Sequence, residues 1–213
     1  MSLLGALTPL GKVAHNYKLW LRCVIAYTLA GSVSSVVIGT LVGELGHLTT
    51  GKPDRAGMFC FLGFFCLLLA GKEWGLINLK LPQRKRQTEG FWVHQFGFVL
   101  AATMWGFDIG LGVATYIIYS GFWVLLALAF IVADPAYAAI LMLTYWFGRV
   151  LPVWVAPVLT RSVEETMDLP RTILGNRTAY STLVRFSLLW CGVLAVHRAF
   201  NVQPLLVKLL AQR

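Results

Sequence analysis

Charge is what this sequence has least of. Only 13% of its 213 residues are Asp, Glu, Lys or Arg, and the acids number nine. A soluble domain ordinarily carries about a quarter charged residues. Together with 58% hydrophobic residues and a mean hydropathy of +0.71, that scarcity excludes an ordinary soluble globular domain and points to a membrane protein.

Other absences remove whole classes of chemistry. There is no Gly-rich phosphate loop, nucleophile elbow, paired-carboxylate signature or His-Glu-x-x-His run, so no catalytic residue is nominated and nothing argues for an enzyme. The four cysteines, Cys23, Cys60, Cys66 and Cys191, form no Cys-x-x-Cys pair. Lying in or beside apolar runs, they read as small core residues rather than a disulfide or zinc framework. His47, His94 and His197 stand on separate segments without ligand spacing, so neither a metal nor a cofactor is expected. Met1–Gly11 has no charged leader, long apolar core or small-residue cleavage site, so a removable signal peptide is not expected either.

What the sequence does have is long apolar runs. Phe91–Ala133 carries one acid, Asp108, and would rise about 65 Å as a single helix, against a hydrocarbon core of roughly 30 Å. It should therefore cross twice, as spans of about Phe91–Gly110 and Gly112–Ala133, turning at the glycines beside Asp108, Gly106, Gly110 and Gly112. The other spans are expected at about Leu19–Gly43, Ala56–Gly71 with a possible extension to Leu79, Ala136–Val158 and Ser181–Phe200. The fold class is thus all-α: one polytopic membrane domain of six helices.

The net charge of +9 sits mostly where it sets topology. Lys12, His15, Lys18 and Arg22 lead into the first span, and Lys80, Arg84, Lys85 and Arg86 close the second. Both segments are assigned to the cytoplasm, as are both chain ends, Lys208 and Arg213 marking the second. The expected location is an inner (plasma) membrane of bacterial type. The expected partners are the lipid bilayer and other membrane subunits, not nucleic acid.

Three groups of residues stand out. Gly31-Ser32-Val33-Ser34-Ser35 puts small and hydroxyl-bearing residues at mid-depth of the first span. They read either as a close helix contact or as a polar patch on a pathway. Asp108 is either an interfacial group at the hairpin or a buried proton or cation site. Tyr145-Trp146-Phe147-Gly148-Arg149-Val150-Leu151-Pro152 places an arginine inside the fifth span, where it must face the interior, pair with an acid or snorkel. Tyr145, Gly148, Arg149 and Pro152 are read as a helix junction.

The two halves are weakly alike. Gly31–Ser35 corresponds to Gly112-Val113-Ala114-Thr115-Tyr116, Gly71-Lys72 to Gly148-Arg149, and Trp105-Gly106 to Trp190-Cys191-Gly192. Three spans per half would give the repeats, about 19–110 and 112–200, opposite orientations, the plan of many secondary transporters. Gly31, Ser32, Ser34, Ser35, Gly112, Thr115 and Asp108 are then the pathway candidates.

With Tyr145-x-x-Gly148-x-x-x-Pro152 in the fifth span, the chain resembles the six-helix CcdA/DsbD family of cytochrome c biogenesis and thiol-disulfide reductant transporters, with its methylamine-utilisation relatives. The resemblance implies a membrane transporter using a cysteine pair on the first and fourth helices. The matching stretches here, Ser32–Ser35 and Val113–Thr115, hold no cysteine. A hydroxyl cannot replace a thiolate in disulfide exchange, so the usual relay cannot run on them. Two functions follow: a transporter-like protein moving a small solute or ion by alternating access, and a structural subunit or assembly factor of a larger redox or photosynthetic membrane complex.

Overall fold

The computed structural model describes residues 17–50, 55–81, 91–112, 120–159 and 177–210. These residues form six helices: α1 (Tyr17–Thr50), α2 (Arg55–Glu73), α3 (Phe91–Gly110), α4 (Gly121–Val132), α5 (Pro135–Leu159) and α6 (Arg177–Leu210). No strand occurs among the described residues. Among the described residues, four segments are long and apolar enough to cross a membrane: Tyr17–Thr49, Ala56–Glu73, Pro135–Val155 and Thr178–Phe200.

The surface of these helices is apolar, the reverse of a soluble bundle. Leu29, Val33, Val37 and Leu41 recur every fourth residue along α1 and are 61%, 59%, 44% and 60% exposed. Such a stripe suits lipid, because its burial in hydrocarbon costs nothing while its exposure to water would.

Two of the expected spans take a different form. The third has the expected bounds, but it is not one regular helix: Gly97 sits at φ 76° and ψ 172° and breaks it. Only a residue without a Cβ takes that conformation cheaply. The fourth is expected from Gly112, whereas α4 begins at Gly121 and is 12 residues long, a rise of about 18 Å. Ser120 precedes it, and residues 113–119 lie outside the described residues. The chain does turn beside Asp108: Gly112, at φ 71°, closes α3 with its amide donating to the Ile109 carbonyl at 3.0 Å. It turns again at Ala133-Asp134, where Ala133 takes φ 54° and the Asp134 Oδ1 accepts from the amides of Ala136 (2.9 Å) and Tyr137 (3.1 Å). A carboxylate there satisfies amides that the first turn of α5 leaves open.

The chain divides into two units by its internal contacts. The first comprises Met1–Gly39, Gln83–Ile117 and Ala139–Arg177. Its core joins three helices: Trp20, Cys23, Val24 and Tyr27 from α1, Ala101, Ala102, Trp105 and Ile109 from α3, and Trp146, Val150 and Val153 from α5. Tryptophans interleave with alanines, so bulk from one helix fills the space that small residues leave on another. The second unit comprises Thr40–Pro82, Ile118–Ala138 and Thr178–Arg213. Within it α2 packs on α4, and α2 meets α6 at Gly63 and Gly192 so closely that a Cβ on Gly63 would lie 3.1 Å from the Gly192 carbonyl.

Candidate functional site

The first unit's polar chemistry is organised by α1. Thr28 is its node: the carbonyl accepts from Trp146 Nε1 (3.0 Å) and from Ser32 Oγ (2.8 Å). The hydroxyl accepts from Trp154 Nε1 (3.1 Å) while donating to the Val24 carbonyl (2.7 Å). Two indole donors that would be costly to leave unpaired in an apolar span are thereby satisfied. Gly31, buried below this node, has the Trp146 indole lying where a side chain would otherwise project.

One turn further along, α1 and α3 touch. Ser34 and Ser35 are 0% and 2% exposed. Ser35 Oγ donates to the Gly110 carbonyl at 3.1 Å, and Ser34 Oγ donates back to the Gly31 carbonyl at 3.1 Å. Gly110 is buried against Ser34 and Gly31, leaving no room for a Cβ. Gly31, Ser34, Ser35 and Gly110 therefore meet in one contact, and both serine protons are directed at carbonyls within it. Ser32 is half-buried on its bond to Thr28. Gly112 is buried in the turn after α3, and Thr115 lies outside the described residues.

Asp108 is half-buried on α3, where it lines an open groove of about 320 Å³ with Ala30, Trp92, Thr103, Met104 and Phe107. On α5, Tyr145 and Arg149 share a face, with the guanidinium carbon 5.8 Å from the ring centroid. Arg149 Nη1 is fully buried and has no hydrogen-bond partner among the described residues. Gly148 is exposed with open space beside it, and Pro152 is exposed one turn on.

Sequence reasoning passed over a second polar cluster, in the other unit, at the end of α2. Glu73 Oε1 accepts from the Ser120 amide (3.3 Å), from the Ser120 hydroxyl and from Lys72 Nζ (3.3 Å). Lys72 also donates to Ser120 Oγ at 3.1 Å. The Lys72 and Glu73 side chains are 24% and 13% exposed, and Ser120 is buried. A carboxylate at the start of α4 meets the positive end of that helix, which adds to the attraction of the lysine. The adjacent opposite charges at the end of an apolar run were the signal available in the sequence.

All four cysteines are free thiols, Cys23 and Cys66 buried, Cys60 and Cys191 exposed. No group of three or more His, Cys, Asp or Glu side chains able to hold a metal occurs among the described residues.

Two curated proteins are similar to this chain. The methylamine utilization protein MauF of Paracoccus versutus is 26% identical over 159 residues, covering 72% of this chain and 57% of its own length. MauF of Methylobacillus flagellatus is 23% identical over 155 residues, covering 72% of this chain and 55% of its own. The chain thus spans rather more than half the length of the curated relatives it matches. No family model matches it, and no solved structure does.

Proposed function

We propose that this protein is an integral membrane component serving methylamine utilisation, in the role of a subunit or assembly factor for a membrane-associated redox system. The observation that carries the reading is the similarity to two MauF proteins over 72% of the chain, joined to four helices apolar enough to span a bilayer. The contact between α1 and α3 supports an assembly role, because Ser34 and Ser35 spend their hydroxyls on helix packing and leave no polar lining there for a solute. The exposed apolar stripe on α1 is available to lipid or to neighbouring subunits. The test is genetic and biochemical. Deleting the gene in its host should abolish growth on methylamine as the sole nitrogen source and spare growth on ammonium, and mild-detergent purification should recover a stoichiometric complex. Normal growth on methylamine would sink the reading.

Transport of a small solute is the second reading, and Asp108 favours it. An ionisable side chain half-buried within an apolar helix and facing a groove is the usual mark of a membrane pathway. The fold it would use is the pair of inverted repeats joined at Gly31–Ser35 and Gly112–Thr115, with alternating access between them. Proteoliposomes bearing the purified protein should then take up methylammonium or another small ion, and Asp108→Asn should abolish the uptake. Equal flux with empty liposomes would remove transport.

A further inference from the structure

A cation inside a membrane span requires a partner, and among the described residues Arg149 has no ion-pairing acid and its Nη1 has no acceptor. It lies near the middle of α5 (Pro135–Leu159), in the segment apolar enough to cross a membrane. One guanidinium nitrogen, Nη1, is fully buried without an acceptor. Among the described residues no acid forms an ion pair with it. An arginine in hydrocarbon is tolerated when it reaches water, an anion or a carbonyl. Here part of the fork points into protein instead.

Three features of α5 surround Arg149. Tyr145 lies under the guanidinium at 5.8 Å, which orients the planar fork. One residue before Arg149 the helix surface is open: Gly148 is exposed and nothing lies within 4 Å of where its Cβ would be. Phe147 and Leu151, 51% and 62% exposed, flank this gap on the apolar outer face of α5. Pro152 has no amide proton, so the Gly148 carbonyl loses the donor that a regular helix would supply four residues on. An unpartnered guanidinium nitrogen, an aromatic ring beside it, an under-satisfied carbonyl and an exposed apolar face thus coincide within two turns of one helix.

We infer that the notch formed by Tyr145, Gly148 and Arg149 binds an oxyanion, a carboxylate or phosphate group, that enters from the apolar face of α5. The guanidinium grips two oxygens of the anion in a bidentate pair, a geometry and strength that an ammonium does not match. The gap at Gly148 admits the rest of the molecule. The same oxyanion chemistry is offered by an anionic lipid headgroup and by a small free anion. The inference is independent of the methylamine reading, which concerns the pathway served and not what α5 holds.

The experiment is thermal unfolding of the full-length protein in a neutral detergent, titrated separately with phosphatidylglycerol, phosphatidylcholine, sodium phosphate and, at matched ionic strength, sodium chloride. A midpoint raised by phosphatidylglycerol but by neither phosphatidylcholine nor phosphate assigns the site to lipid. One raised by phosphate beyond chloride assigns it to a free anion. In either case Arg149→Gln should weaken the apparent affinity about tenfold or more, with Arg149→Lys intermediate. Gly148→Leu, which fills the gap and leaves the cation in place, should keep the basal midpoint and lose the ligand response; it decides the matter should Arg149→Gln not fold. No response of the natural protein to either anion, or an equal response in the Gly148→Leu variant, would overturn the inference.

Discussion

At the scale of the residue, Thr28 and Ser35 make polar bonds between helices in the first unit. Thr28→Val keeps the shape and deletes the hydroxyl, which leaves Trp154 Nε1 without its acceptor. The expected cost is about 1–2 kcal/mol, measured as a lower midpoint in denaturant or heat, while Trp146 keeps its bond to the Thr28 carbonyl. Ser35→Ala removes one interhelical bond and should cost less, about 0.6 kcal/mol, the average for such bonds between membrane helices. An equal loss from the two variants would contradict the ranking. The serine run was legible in the sequence as small polar residues at mid-span. Its bonding partners were not, because Gly110 lies 75 residues away and Trp146 118 residues beyond Thr28, and only the packed fold brings them in.

At the scale of the element, apolar length was the readable quantity. It gives the bounds of α3 outright and those of α2 and α5 to within about two residues, as expected when lipid-compatible length sets where a helix runs. α1 and α6, each 34 residues, run past their apolar spans because helical hydrogen bonding does not stop where hydrophobicity does. The break at Gly97 was illegible: a glycine in an apolar run serves close packing as readily as a kink. Gly97→Ala tests the kink, since alanine at φ 76° is strained and nothing else crowds the site. The substitution should cost about 1–3 kcal/mol, or straighten α3 in a determined structure. Asp134→Ala, which removes the acceptor for two amides at the start of α5, should cost about 1 kcal/mol and raise hydrogen exchange at Ala136 and Tyr137.

At the scale of the whole molecule, the class of protein was plain from composition, since four described segments suit a bilayer and the outer faces of the helices are apolar. From the basic segments Lys12–Arg22 and Lys80–Arg86 we propose that both chain ends face the cytoplasm. Cysteine accessibility labelling on a background lacking the four natural thiols should tag both ends only after the membrane is permeabilised, and a single end tagged from outside would refute an even number of crossings. Charge on the lipid-facing stripe should be resisted. Val33→Arg, 59% exposed on α1, should cost roughly 2–4 kcal/mol and reduce the amount of protein recovered from membranes.

The bond from Glu73 to the beginning of α4 carries a consequence for biogenesis. The carboxylate that completes this short helix is supplied by a segment synthesised some 47 residues earlier, so the ribosome delivers the acceptor first and the amide it must receive later. α2 then waits with Lys72 paired to Glu73, and α4 gains its anchored start only when Ser120 emerges. A nascent chain arrested beyond Val132 should resist protease at this joint, and the same chain with Glu73→Leu should be clipped there.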